Sequence, residues 1–345
     1  MSQKPRRYLL AVLCMILGVG HGEAQDKSPD GPGQSAWRRQ PWQTDDGLPN
    51  NDVTGILQMP DGSMLMSTLG GISRLDGRRF RPAPLQGLTQ DARVLGMCFG
   101  KGDSVWAALR SRIVRFHRDA PPDIVPARVL PAEGLVSSMF EDREGAVWVS
   151  FDTPAVFRIV QGQISTPPLP EAATEGFTAV ALDEGGVVWA AGPGVLARWE
   201  GGKWNPVAVL PSLKACLCAA RGGGVWVGSG KEVLRYTAEK GLESKCSIRV
   251  DKLGARIARL LEDSSSRLWI GCHAVGLFCW AEDGLSSVEV QNQDVWALCE
   301  DRERNLWVGT GGGGAWCVRK SVVQLFRGEQ GLENPTPRSM CLDVR

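Results

Sequence analysis

Few residues here are suited to chemistry: three histidines, ten cysteines and one run of four glycines, Gly311 to Gly314. General acid–base work calls for a histidine or a pair of carboxylates at a converging point. Beyond the N-terminal leader only His117 and His273 remain, in different sequence contexts, which weighs against a catalytic pair. A phosphate-binding loop needs a lysine and a hydroxyl after its glycines, so that charge and metal ligation join the main-chain amides. Ala315, Trp316 and Cys317 follow instead, so the run reads as a turn and no nucleotide or other cofactor is implied.

The leader itself is legible. Lys4, Arg6 and Arg7 precede the apolar run Tyr8 to Val19, and Gly22-Glu23-Ala24 offers small residues at the −3 and −1 positions. This is a secretory signal pattern, too short for a membrane anchor of about 20 apolar residues. Residues 1–24 are therefore expected to be a signal peptide, residues 25–36 a flexible lead-in, and the chain to be exported, to a bacterial periplasm. Losing Cys14 with the leader leaves nine of ten cysteines. Most sit where other copies of a repeat carry apolar residues, so buried thiols packing as small hydrophobes are expected. Cys272 and Cys279 flank one hairpin and form the first pair to test for a disulfide. No C-x-x-C spacing suggests zinc.

The repeat sets the architecture. The phrases VWAAL, AVWVSF, VVWAAG, GVWVGSG, RLWIGC and NLWVGT centre on Trp106, Trp148, Trp189, Trp226, Trp269 and Trp307. A weaker copy, SMLMST, places Leu65 at the same point. The separations are 41, 42, 41, 37, 43 and 38 residues, a period that means propeller blades, solenoid turns or an array. Nine residues before each centre stand Ile56, Met97, Met139, Val180, Leu217, Leu260 and Leu298, always apolar and hence core-facing. Six before the centre, Asp142, Asp183, Asp263 and Asp301 mark tight reversals, since aspartate bonds its own main chain two residues on.

After each centre a glycine or serine ends the strand, and an alternating segment follows that carries Arg74, Arg115, Arg158, Arg198 or Arg235 with its stem over the sheet. A fourth, less regular strand is expected at Phe80 to Pro82 in the first copy and at Val322 to Phe326 in the last. Four short strands per forty residues, seven times over and without a sustained helical period, predict an all-β, seven-bladed β-propeller of four-stranded antiparallel blades over residues 37–326. The six tryptophans are its packing anchors.

Asp46 to Phe80 (DGLPNNDVTGILQMPDGSMLMSTLGGISRLDGRRF) and Val295 to Thr310 (VWALCEDRERNLWVGT) resemble the two-component regulator propeller repeat, with its Gly-Leu opening, Asp-x-x-Gly turn and Leu-Trp-Ile-Gly-Thr strand. Leu65 for tryptophan and Ala190-Ala191 for Ile-Gly are departures. The resemblance implies the periplasmic sensor region of a bacterial signalling protein, a small-molecule or oligosaccharide ligand, and as further partners a second copy or a downstream kinase module. Residues 327–345 either begin another blade or complete one with the N-terminal WRRQPWQT by ring closure, and the pattern favours the front piece of a longer chain.

In a propeller the turns between second and third strands share one face with the links between blades, and such loops carry binding because they vary without disturbing the sheets. Trp42, Arg110, Arg112, Asp152, Lys231 and His273 are the candidates there for a polar ligand. A recognition propeller without catalysis is the expectation; an exported propeller lyase or hydrolase, or a protein-interaction scaffold, are the rivals. With 39 basic against 38 acidic residues, a net charge of +1 offers no nucleic-acid footprint.

Overall fold

A computed structural model describes residues 37–83, 85, 92–118, 120–127, 130–131, 134–212, 214–290 and 294–320. The expected signal peptide (residues 1–24) and lead-in (25–36), Val322 to Phe326 and residues 327–345 fall outside them. The described chain forms seven four-stranded antiparallel sheets, with the single 3-10 turn Thr44–Asp46 as its helical element. From the innermost strand outward, blade 1 is Val53–Gln58, Met64–Thr68, Gly71–Leu75 and Phe80–Pro82. The innermost strands of blades 2 to 7 are Val94–Phe99, Val136–Glu141, Ala179–Leu182, Ala215–Ala219, Arg256–Glu262 and Val295–Glu300.

Val322 to Phe326, expected as the outer strand of the last copy, lie outside the described residues, and the outer place of blade 7 is taken by another segment. Trp37–Trp42 fills it, pairing antiparallel with Ala315–Lys320 from Trp37↔Lys320 to Trp42↔Ala315. The two ends of the ring are thus joined by main-chain hydrogen bonds, and the N-terminal strand completes the seventh blade. Trp37 packs edge-on to Trp269 at 4.9 Å, and the Arg267 guanidinium lies 5.0 Å from the Trp37 ring.

Each second strand is covered on both faces by neighbouring blades, which is why it reads as an unbroken apolar burst rather than an alternation. The small residue two places after each repeat centre has a steric cause. A Cβ on Gly228, Gly271 or Gly309 would come within 2.6, 2.5 and 2.7 Å of Ile257, Val295 and Val53, the β-branched residues of the next blade's innermost strand. Ser67, Ala108, Ser150 and Ala191 fill the same place in the other copies.

The repeat aspartates do more than turn the chain. One oxygen of Asp142 accepts the turn amides of Glu144 and Ala146, while the other accepts the Trp148 indole N–H at 2.8 Å. Asp183, Asp263 and Asp301 hold Trp189, Trp269 and Trp307 in the same way at 2.8, 2.8 and 2.7 Å. Blades 2 and 5 lack that aspartate. Trp106 and Trp226 donate instead to Glu141 and Glu262 of the following blade, at 2.8 and 2.6 Å.

The cysteines are free thiols among the described residues. Cys272 packs with Cys216 and Trp226 toward blade 5, whereas Cys279 packs with Trp269 and Val308 toward blade 7. The two lie on opposite faces of one sheet, so the disulfide considered from their spacing does not form. Burial pushes the Cys279 thiol up to about 11 and those of Cys216 and Cys272 to about 12.

Candidate functional site

The turns between second and third strands are laced to the inter-blade links on one face of the disc. Asp152 N–H donates to the Leu135 carbonyl, Gly230 N–H to Lys214 and Gly311 N–H to Asp294, each at 3.0 to 3.2 Å. Five of the six sequence candidates stand in or beside these turns. Arg110 is exposed between the second and third strands of blade 2, and Arg112, half-buried, opens the third strand opposite Pro126. Lys231 is tied to the neighbouring link, its Nζ donating to the Val250 carbonyl at 2.7 Å. His273 ends the second strand of blade 6, with Nδ1 2.8 Å from Asp294 Oδ1.

Trp42 is the exception. Only 7% exposed, it stacks edge-on against Phe80 at 5.7 Å and belongs to the core between blades 7 and 1. It occupies the ring-closing strand, whose inner face is covered, so its indole is packing rather than a mouth side chain.

Asp152 belongs to a second arrangement that the sequence candidates did not include. Arg259, on the innermost strand of blade 6, donates from Nε to the Trp296 carbonyl at 2.7 Å, from Nη1 to Ala258 at 2.8 Å and from Nη2 to Val136 at 3.0 Å. Val136 lies on the innermost strand of blade 3, three blades away, so that last bond spans the central channel. All three acceptors are main-chain carbonyls. Burial pulls the Arg259 pKa below the ordinary arginine value, nearby Arg256 acts the same way, and the Asp152 carboxylate works against them. Lys214 reaches the Asp152 carbonyl at 3.5 Å, and Arg256 is the cross-strand partner of His273.

The signal for Arg259 was present in the repeat. Ten residues before each centre stand Gly55, Gly96, Ser138, Ala179, Cys216, Arg259 and Ala297: six small residues around the axis and one arginine. One place earlier, Trp296 is the single aromatic among Thr54, Leu95, Ser137, Thr178, Ala215 and Ala258. Its ring lies where a Cβ on Gly311 would come within 2.5 Å, so the first glycine of the run makes room for it. Departures from the repeat, not conformity to it, mark the mouth.

Residues 289–312 match the family model described as two component regulator propeller. Comparison with curated proteins gives no significant match. Solved structures of similar shape include a streptogramin B lyase, at TM-score 0.65 and 14% identity over 83% of this chain and 98% of that one. Virginiamycin B lyase from Staphylococcus aureus has TM-score 0.63 and 16% identity over 82% of this chain and 98% of that one. The extracellular domain of a hybrid two component system from B. thetaiotaomicron has TM-score 0.63 and 17% identity over 82% of this chain, which spans only 42% of that domain. At these identities the likeness to solved structures is one of fold. The resemblance read from the repeat is met by the family match: residues 289–312 match a two component regulator propeller repeat, and they lie in a seven-bladed propeller.

Proposed function

We propose that this propeller is the ligand-recognising region of an exported two-component-type signalling protein, and that it takes a polar ligand bearing an acidic group at the Arg259 mouth. The observation that carries this reading is a cation held in the channel on carbonyls alone. A guanidinium keeps its charge under burial and still has free donors after three bonds, and a carboxylate is its best-matched partner, taking two parallel N–H bonds. Arg256 and Lys214 add positive charge beside it, with Asp152 available to a ligand hydroxyl. An acidic oligosaccharide combines both kinds of group. The family match and the likeness to extracellular sensor domains support signalling outside the cytoplasm, with a second copy or a downstream kinase as the receiver. Among the described residues no helix is long and apolar enough to cross a membrane.

The test is a thermal-shift screen of uronate-containing and neutral oligosaccharides against the wild type and Arg259→Met. Acidic members should raise the melting temperature of the wild type only. A second reading rests on the His273–Asp294 pair at the same mouth. A virginiamycin B lyase from Staphylococcus aureus has been solved with quinupristin as a catalytically inactive histidine-to-alanine variant. Conversion of quinupristin by this chain, abolished by His273→Ala, would favour a lyase over a sensor.

A further inference from the structure

Blade 1 keeps the frame of the repeat but not its indole. Leu65 stands at the centre, and Met59 stands six residues earlier where four copies have aspartate, so both members of the carboxylate–indole pair are replaced by apolar residues. The arginine above the ring is retained. Arg74 is the cross-strand partner of Leu65, as Arg115 is of Trp106, Arg158 of Trp148 and Arg235 of Trp226. In those three blades the guanidinium carbon lies 5.3, 5.6 and 5.0 Å from the indole centroid. With no ring beneath it, Arg74 turns to Asp61 at 2.7 Å.

A cavity of about 240 Å³ lies at this place between blades 1 and 2, lined by the apolar Met59, Leu65, Val105 and Phe116 and by the charged Asp61, Arg74, Asp103 and Arg118, with His117 beside them. The clefts between blades 3 and 4 and between blades 5 and 6 differ in having an indole in the wall. Charged turn residues and glycines line them, and Trp199 in one and Trp226 in the other stand in the wall.

We infer that the cavity between blades 1 and 2 binds a small planar aromatic ring, which takes the place of the absent indole. Leu65, Met59, Val105 and Phe116 supply apolar contact for the faces of a ring at the place where the other blades put an indole. Arg74 selects an aromatic over a saturated ring, because a guanidinium is drawn to the face of a π-system. The cavity opens among turns on the face opposite the Arg259 mouth and stands independently of the function proposed for that mouth.

Fluorine NMR with 5-fluoroindole tests this on the whole protein. The probe resonance should broaden with the wild type and with Arg259→Met, lose that broadening with Leu65→Trp, and be displaced by indole but not by cyclohexanol. Arg74→Leu should weaken binding by about tenfold. If circular dichroism shows Leu65→Trp to be unfolded, Leu65→Phe fills the same space and takes its place. Absence of binding by the wild type, undiminished binding by the filled variant, or displacement by cyclohexanol as effective as by indole would each overturn the inference.

Discussion

The Trp106 indole N–H donates to Glu141 at 2.8 Å across the boundary between blades 2 and 3, because its own blade has Gly100 where blade 3 has Asp142. The same oxygen accepts the Lys101 main-chain N–H at 3.1 Å, and a Cβ on Gly100 would lie 2.8 Å from it. Restoring the repeat aspartate by Gly100→Asp therefore displaces Glu141 instead of helping. Urea unfolding should show Gly100→Asp and Glu141→Ala each destabilised by about 1–3 kcal/mol, the range for a buried donor left without its partner.

Asp263 predicts a pH dependence. Burial alone would raise its pKa, but hydrogen bonds from the Arg267 main chain, the Trp269 indole and the Arg267 guanidinium together hold it below the usual carboxylate value. A folded pKa below the unfolded one stabilises the protein above the unfolded value, near pH 4, and that stabilisation fades as pH falls through the folded value. Asp263→Asn should cost about 1.5–3 kcal/mol at pH 7. The gap between variant and wild type should narrow as the medium is acidified below about pH 4.

The thiols give a third outcome. With Cys216 and Cys272 buried and their pKa values pushed up to about 12, neither supplies thiolate at neutral pH. Peptide mapping after iodoacetamide treatment at pH 8 should find both unmodified in the native protein and fully modified in urea, with no Cys272–Cys279 disulfide.

Seven blades, the strand order within each and the six indole anchors were legible from spacing, because each copy must bury the same faces against its neighbours. The closing strand was legible only in part: the N-terminal WRRQPWQT was a ring-closing candidate, but with residues 327–345 as its partner. Nothing in Trp37 to Trp42 repeats, and only the register with Ala315–Lys320 assigns it to blade 7. That closure also explains why Trp42 failed as a mouth candidate: loop composition does not reveal which face of a non-repeating strand is covered. Arg259 and Trp296 were within reach of the aligned repeat, but a search for polar residues in turns passes over a polar residue inside a strand.

Trp42→Ala separates packing from binding. Emptying a buried indole site costs about 3–5 kcal/mol. Denaturant unfolding should show a loss of that size, and a ligand bound at the Arg259 mouth should retain its affinity at temperatures where the variant stays folded.

The most direct measurement is calorimetric titration of an acidic oligosaccharide that scores in the thermal-shift screen into the wild type, Arg259→Met and Leu65→Trp. Binding lost in Arg259→Met and kept in Leu65→Trp is the predicted result. Equal affinity for the wild type and Arg259→Met would contradict recognition at the channel mouth.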